Sequence, residues 1–253
     1  MNRTAPRVVS QGVGVLAQLA LLSGLWAAVG LGPAGWLAGA GYAACGWMLL
    51  AAARYRHGTR TWGPADRVTL ARAVLTGGVT ALVADDGGPA AHAALVALAA
   101  VALLLDAVDG QVARRTGTVT ALGARFDMEV DALLILVLSV AVSRSLGVWV
   151  LAIGLMRYAF VAAAHAAPWL RAPLPPRAAR KAVAAAQGIV LVTAAAGVLP
   201  APAAAVTVAG ALVLLTWSFG RDVRWLHRAS RVRPSPASPP SGRSAGSPAA
   251  GAG

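Results

Sequence analysis

The stretch DAVDGQVARRTGTVTALGARFDMEVD, residues 106–131, carries four aspartates and a glutamate in a 253-residue chain that has only nine acidic residues. It follows at once on AHAALVALAAVALLL (91–105), which is apolar enough to lie in lipid. Asp106 and Asp109 are spaced i, i+3, and Asp127 and Asp131 i, i+4, so each pair shares one face of a helix. Two antiparallel neighbours would set the two pairs against each other, whereas Glu129 projects elsewhere and stays outside the candidate site. Four facing carboxylates repel unless cations lie between them. Oxygen donors with no His or Cys nearby suit Mg²⁺ or Mn²⁺, and two divalent ions would balance the four charges. The plainer reading pairs these acids with Arg114, Arg115 and Arg125 at a solvated membrane edge. Against it, ionisable groups at membrane depth are costly and tend to mark function.

The remainder of the chain says what surrounds that segment. Hydrophobic residues make up 58% of the sequence, charged ones 12%, and the mean hydropathy is +0.67. That charged share is about half the usual share of a soluble domain, so the composition is that of a membrane protein. The formal net charge is +13, and every cation but Lys181 is an arginine. No soluble domain is left to bind nucleic acid; a cytoplasmic excess of Arg facing anionic lipid accounts for the charge. The single cysteine, Cys45, excludes a disulfide framework and a cysteine-based metal site.

A membrane-spanning helix needs about 20 apolar residues. Val13–Leu31 and Gly35–Ala53 qualify without a charge and are joined by Gly32-Pro33-Ala34, which predicts a helical hairpin. The first run is too long for a signal-peptide core, and a second span follows it directly. Six further spans are predicted at about 67–84, 90–113, 128–142, 147–166, 181–198 and 203–219. With Arg3 and Arg7 cytoplasmic, eight spans place the arginine-rich stretches 54–60, 114–125, 171–181 and 221–243 on that same side. Arg144 is then the lone cation on the far side, together with the loop holding Asp85 and Asp86. Arg157 falls inside a span. The Pro-, Ser- and Gly-rich tail from about Ser230 cannot bury a core and is expected to be disordered.

Small residues next to the aspartates narrow the chemistry. Gly110 and Ala113 continue the face of Asp106 and Asp109, leaving room for a phosphorylated group within reach of Arg114. Gly123 lies one turn before the second acidic pair. The full spacing is Asp106-x2-Asp109-Gly110-x2-Ala113-Arg114-x8-Gly123-x3-Asp127-x3-Asp131. It resembles the signature of the CDP-alcohol phosphatidyltransferases at all eight positions. The resemblance covers about Pro64 to Gly220.

That resemblance implies an all-α integral membrane protein: a hairpin and connector over 1–62, a six-helix catalytic core over 63–220, and a basic tail over 221–253. It implies a multi-pass transferase of the plasma membrane, acting at the cytoplasmic face in phospholipid biosynthesis. Such an enzyme moves a phosphatidyl group from a CDP-linked lipid to an acceptor alcohol, releases CMP, and is a homodimer. Asp106 and Asp127 would contact both metal ions, Asp109 the first and Asp131 the second, with Asp131 also the base for the acceptor hydroxyl. Gly110 and Arg114 would hold the CDP group with Thr120, beside the small Ala113 and Gly123. An upstream Thr-x-x-Arg contact of such proteins is matched by Thr69 and Arg72, although Asp66 stands where relatives often have Asn. For the acceptor, Arg157, Arg180 and Lys181 are candidates to bind a phosphate on a polyol such as glycerol 3-phosphate or an inositol phosphate. Two other classes compete: an Asp-cluster, Mg²⁺-dependent prenyltransferase, which would not need the Ala113-Arg114-x8-Gly123 segment, and an ion-coupled transporter, which would carry internal repeats.

Overall fold

Runs of Leu, Val and Ala broken by Pro and Gly can satisfy their backbone in lipid only as helices, and that is what forms. A computed structural model of the chain describes residues 5–57, 64–116, 121–172 and 178–232, with side chains at 12–48, 67–107, 123–172 and 179–230. Among these residues there is no strand, and there are eight α-helices. They are α1 (Ala5–Val29), α2 (Pro33–His57), α3 (Pro64–Asp85), α4 (Pro89–Thr116), α5 (Ala121–Leu146), α6 (Leu151–Ala166), α7 (Ala178–Ala195) and α8 (Ala201–Val232). Single 3₁₀ turns, Val148–Val150 and Pro168–Arg171, stand before α6 and after it. Pro33, Pro64 and Pro89 each take the first position of a helix, where the missing N–H costs no bond. Gly30, at φ 71°, supplies the left-handed residue that ends α1.

Five helices are long and apolar enough to cross a membrane among the described residues, and the chain is a multi-pass integral membrane protein. The described part of α5 is not among them; it carries Arg125, Asp127, Glu129 and Asp131 towards one end and Arg144 near the other. That helix differs from the expectation of a span opening near 128. It starts at Ala121, so Asp127 and Asp131 lie in its second and third turns rather than at its mouth. Apolar content marks where lipid begins, not where the backbone starts to coil. At the other end of the chain, α8 runs unbroken across residue 220 to Val232, and the stretch 233–253, expected to be disordered, lies outside the described residues.

The central element is α3. Half of its membrane-length window is buried, against 22% for α1 and α4, 28% for α8 and 17% for α6. It packs against α1, α2, α4 and α5. Leu22, Leu25 and Leu31 from the amino-terminal hairpin share one core with Val79, Leu82, Leu95, Leu134, Leu138 and Leu191. Where apolar side chains gain nothing by leaving lipid, close approach of small residues holds helices together. A Cβ on Gly39 would meet Leu22 and Ala81, and one on Gly78 would meet Leu21 and Leu98.

The far end of the bundle brings together residues that the charge pattern groups. Arg144, near the end of α5, donates to Asp86 Oδ1 at 2.8 Å and to the Val83 carbonyl at 2.6 Å. Beside it, the Gly32 amide in the α1–α2 turn donates to Asp85 Oδ2 at 2.8 Å. Asp85, Asp86 and Arg144 thus lie at one end of the bundle.

Candidate active site

Three helices bring the site together at the opposite end. The buried face of α3 presents Thr69, Arg72 and Thr76 at helical spacing, and Arg72 is 0% exposed. Asp106 comes from the C-terminal half of α4, and Asp127 and Asp131 from successive turns of α5. The Arg72 guanidinium pairs with all three: with Asp106 Oδ1 at 3.1 Å, and with Asp127 and Asp131 through their Oδ1 atoms. The carboxylate side chains are partly open, with 42%, 33% and 40% exposure for Asp106, Asp127 and Asp131. A wholly buried cation thus faces three half-open anions, and the local charge remains negative. Thr76 stiffens the arrangement from below, donating its hydroxyl to the Arg72 carbonyl at 2.9 Å.

One oxygen from each of the three aspartates lies within 4.8 Å of the others. This donor set fits a hard divalent cation: carboxylate oxygens only, converging from two helices, with negative charge in excess of the one arginine. Asp106, Asp127 and Asp131 are the residues that would hold it. Cys45, the remaining soft donor, is exposed on α2.

Other expected site residues separate into three groups. Thr69 is buried on α3 beside Arg72, and Gly123 opens the second half of the motif on α5. Asp109, Gly110, Ala113 and Arg114 sit on the last turns of α4, but their side chains, and the whole of Thr120, lie outside the described residues. The candidate acceptor cations are held in separate pairs. Arg157 on α6 pairs with Glu129 on α5, and Arg180 on α7 lies 3.8 Å from Asp222 on α8. Lys181 is exposed next to it.

Several of these contacts carry no signature in the sequence. Glu129, set aside because it leaves the aspartate face, supplies the partner that an arginine inside a span requires. Asp222 is only 6% exposed and is the sole acid of α8, a signal that could have been read. Tyr158, next to Arg157, has a buried hydroxyl with no hydrogen-bond partner among the described residues. The placement of Arg72 is also not readable from the motif: the resemblance gives it to the nucleotide, and the fold sets its guanidinium against Asp106, Asp127 and Asp131.

The structure thus gives a helical membrane protein with three aspartates converging at one end of the bundle, where they could hold a divalent cation. The particular family follows from comparison with known sequences: residues 62–220 match the model of the CDP-alcohol phosphatidyltransferases, and the chain belongs to that family. The match contains every aspartate of the motif and the Ala113-Arg114-x8-Gly123 segment that a prenyltransferase would not need. Its members transfer a phosphatidyl group from a CDP-alcohol to an acceptor. No match is found among curated proteins or among solved structures.

Proposed function

We propose that this protein moves a phosphatidyl group from a CDP-linked lipid to an acceptor alcohol, with CMP released, as a step of phospholipid synthesis at the cytoplasmic face of the plasma membrane. The observation that carries this reading is the convergence of Asp106, Asp127 and Asp131 on Arg72 inside the family-matched segment. In the reaction, the acceptor oxygen forms a bond to the lipid-side phosphorus while the bond from that phosphorus to the CMP oxygen breaks. A pair of divalent cations, Mg²⁺ or Mn²⁺, neutralises charge on the pyrophosphate and on the departing oxygen when bound.

The chain's own residues do the rest. Asp106, Asp109, Asp127 and Asp131 hold the cations. Thr69 and Arg72 from α3, with Gly110, Arg114 and Thr120, bind and orient the CDP group. An alcohol is a poor nucleophile at neutral pH, and Asp131 takes its proton as the new bond forms. Arg157, Arg180 and Lys181 would draw in a phosphate on the acceptor. Because Glu129 and Asp222 already pair with the two arginines, that phosphate must compete with a carboxylate, which favours a doubly charged ligand over a neutral polyol. The arginine distribution supports a cytoplasmic position for this end of the bundle, and family resemblance supports a homodimer.

The test is an acceptor screen: purified protein in lipid nanodiscs, CDP-diacylglycerol, Mn²⁺ or Mg²⁺, and a panel of alcohols that includes glycerol 3-phosphate and inositol phosphate. Metal-dependent CMP release with a phosphorylated acceptor is expected. An absence of CMP across the panel would overturn the reading.

A further inference from the structure

The helix α8 has 32 residues, Ala201 to Val232. At about 1.5 Å per residue it is about 48 Å long against a hydrocarbon layer of about 30 Å, so its last third stands in the interface and beyond. The family-matched segment stops at residue 220, where that change of surroundings falls. From there on the helix has two faces. The inner one, with Ser218, Asp222 and Leu226, is buried in the bundle. The outer one carries Trp217, Arg221, Arg224 and Arg228. Their i, i+4, i+7, i+11 spacing keeps them within about 60° of one another around the axis. Trp217, Arg224 and Arg228 are exposed. Towards the middle of the membrane this side turns apolar, with Val206 and Val213 exposed. Asp222, the one acid of the helix, lies on the inner face by Arg180, and no acid follows it in the chain.

We propose that this side of α8 binds an anionic phospholipid of the leaflet from which the helix emerges. Arg221 and Arg224 hold its phosphate, and one acyl chain lies in the groove below them. That groove is open and lined by Leu212, Val213, Thr216, Trp217, Gly220 and Arg224. Gly220 keeps its upper end clear, since a Cβ there would meet nothing within 4 Å. Arg224 bends over this end, its Nε donating to the Gly220 carbonyl at 3.3 Å. Arg221 stacks on Trp217, its guanidinium carbon 4.9 Å from the ring centroid. Its Nε and Nη2 are buried and have no hydrogen-bond partner among the described residues. Buried cationic donors call for an acceptor, and a phosphate matches the planar fork in both charge and shape. Charge also selects lipid over a second copy of the chain. A two-fold contact sets one surface against itself, and here it would press arginine on arginine. Because the stripe faces away from the bundle, its lipid stays outside the aspartate site.

The measurement is tryptophan emission from the full-length protein in phosphatidylcholine nanodiscs. A varied share of the lipid is either phosphatidylglycerol or phosphatidylcholine with brominated acyl chains, whose bromine quenches a tryptophan it touches. Brominated phosphatidylglycerol is expected to quench a component that brominated phosphatidylcholine at the same share does not, and Trp217→Phe should remove that component. Arg221→Gln and Arg224→Gln should each raise the share of phosphatidylglycerol needed for half-maximal quenching about fivefold. Arg224 is exposed, so its variant keeps the test open if the Arg221 variant folds poorly. Arg221→Lys keeps the charge but loses the fork and the stacking, and most of the preference should go with them. Full preference in Arg221→Lys would reduce the stripe to diffuse surface charge and overturn the proposal. Equal quenching of Trp217 by the two lipids overturns it as well. So does an absence of quenching by either, which would put another protein chain on this face.

Discussion

Two regions of this molecule set arginines against carboxylates at the same end of the bundle, and they do it differently. In the first, Arg72 is completely buried on α3 and is shared by Asp106, Asp127 and Asp131 from two other helices. In the second, Arg157 and Arg180 are each about one-third exposed, and they meet Glu129 and Asp222 respectively. A buried cation with three anions has no aqueous alternative, so its geometry is fixed by the packing around it. The Arg157–Glu129 pair, open to solvent on both sides, exchanges readily with water or with a ligand anion, whereas the Asp222 partner of Arg180 is nearly buried. The first arrangement suits a constant part of the reaction, the metal and the nucleotide. The second suits the variable part, the acceptor.

The contrast can be broken most decisively at Asp131. Replacing it with Asn removes the proposed base and one cation ligand, and CMP release should fall by about 10²–10⁴-fold while CDP-lipid binding persists. Normal turnover by that variant would remove Asp131 from its role. Next comes Arg72→Gln, which leaves three carboxylates without their shared partner. With a chelator present, this variant should lose about 1–3 kcal/mol of stability, less than a fully enclosed ion pair because the aspartates are partly open. Added Mn²⁺ should restore most of that loss in a thermal melt; a loss that Mn²⁺ does not repair would mean the two cations are not exchangeable there.

The second region sharpens the comparison at smaller scale. Arg157→Gln is expected to raise KM for a phosphorylated acceptor about tenfold, in the range of one charge-assisted bond to phosphate, with KM for the CDP-lipid unchanged. If only stability moves, Arg157 is no more than the partner of Glu129. The smallest effect belongs to the far end, where Arg144 is 47% and Asp86 86% exposed. There Arg144→Gln should cost less than about 1 kcal/mol and leave turnover as it was; an altered acceptor preference would tie that end to the site.

Much of the first region was legible because its residues are close in sequence or regularly spaced. Carboxylates three and four residues apart on apolar helices can be placed on a common face without coordinates, and the motif between Asp106 and Asp131 supplies the family. The placement of Arg72 was not legible in the same way. Its spacing from Thr69 could be matched to a nucleotide contact, but the distance between α3 and the α4–α5 pair depends on how three helices pack. The second region was less legible still. Glu129 pairs across helices with Arg157, 28 residues away, and Asp222 reaches Arg180 across α7 and α8; neither spacing repeats or carries a motif.

By itself, then, the sequence determined the solvent and the chemistry: long apolar runs demand helices in lipid, the arginine pattern orders them, and scarce aspartates at helical spacing mark a cation site. Only the tertiary structure decided which counter-charge each acid receives, and that the first two helices pack along α3. The physical reason is range. Backbone hydrogen bonding and helical periodicity act within a few residues and can be read along the chain, whereas ion pairing and close packing act through space between segments whose approach no local pattern records.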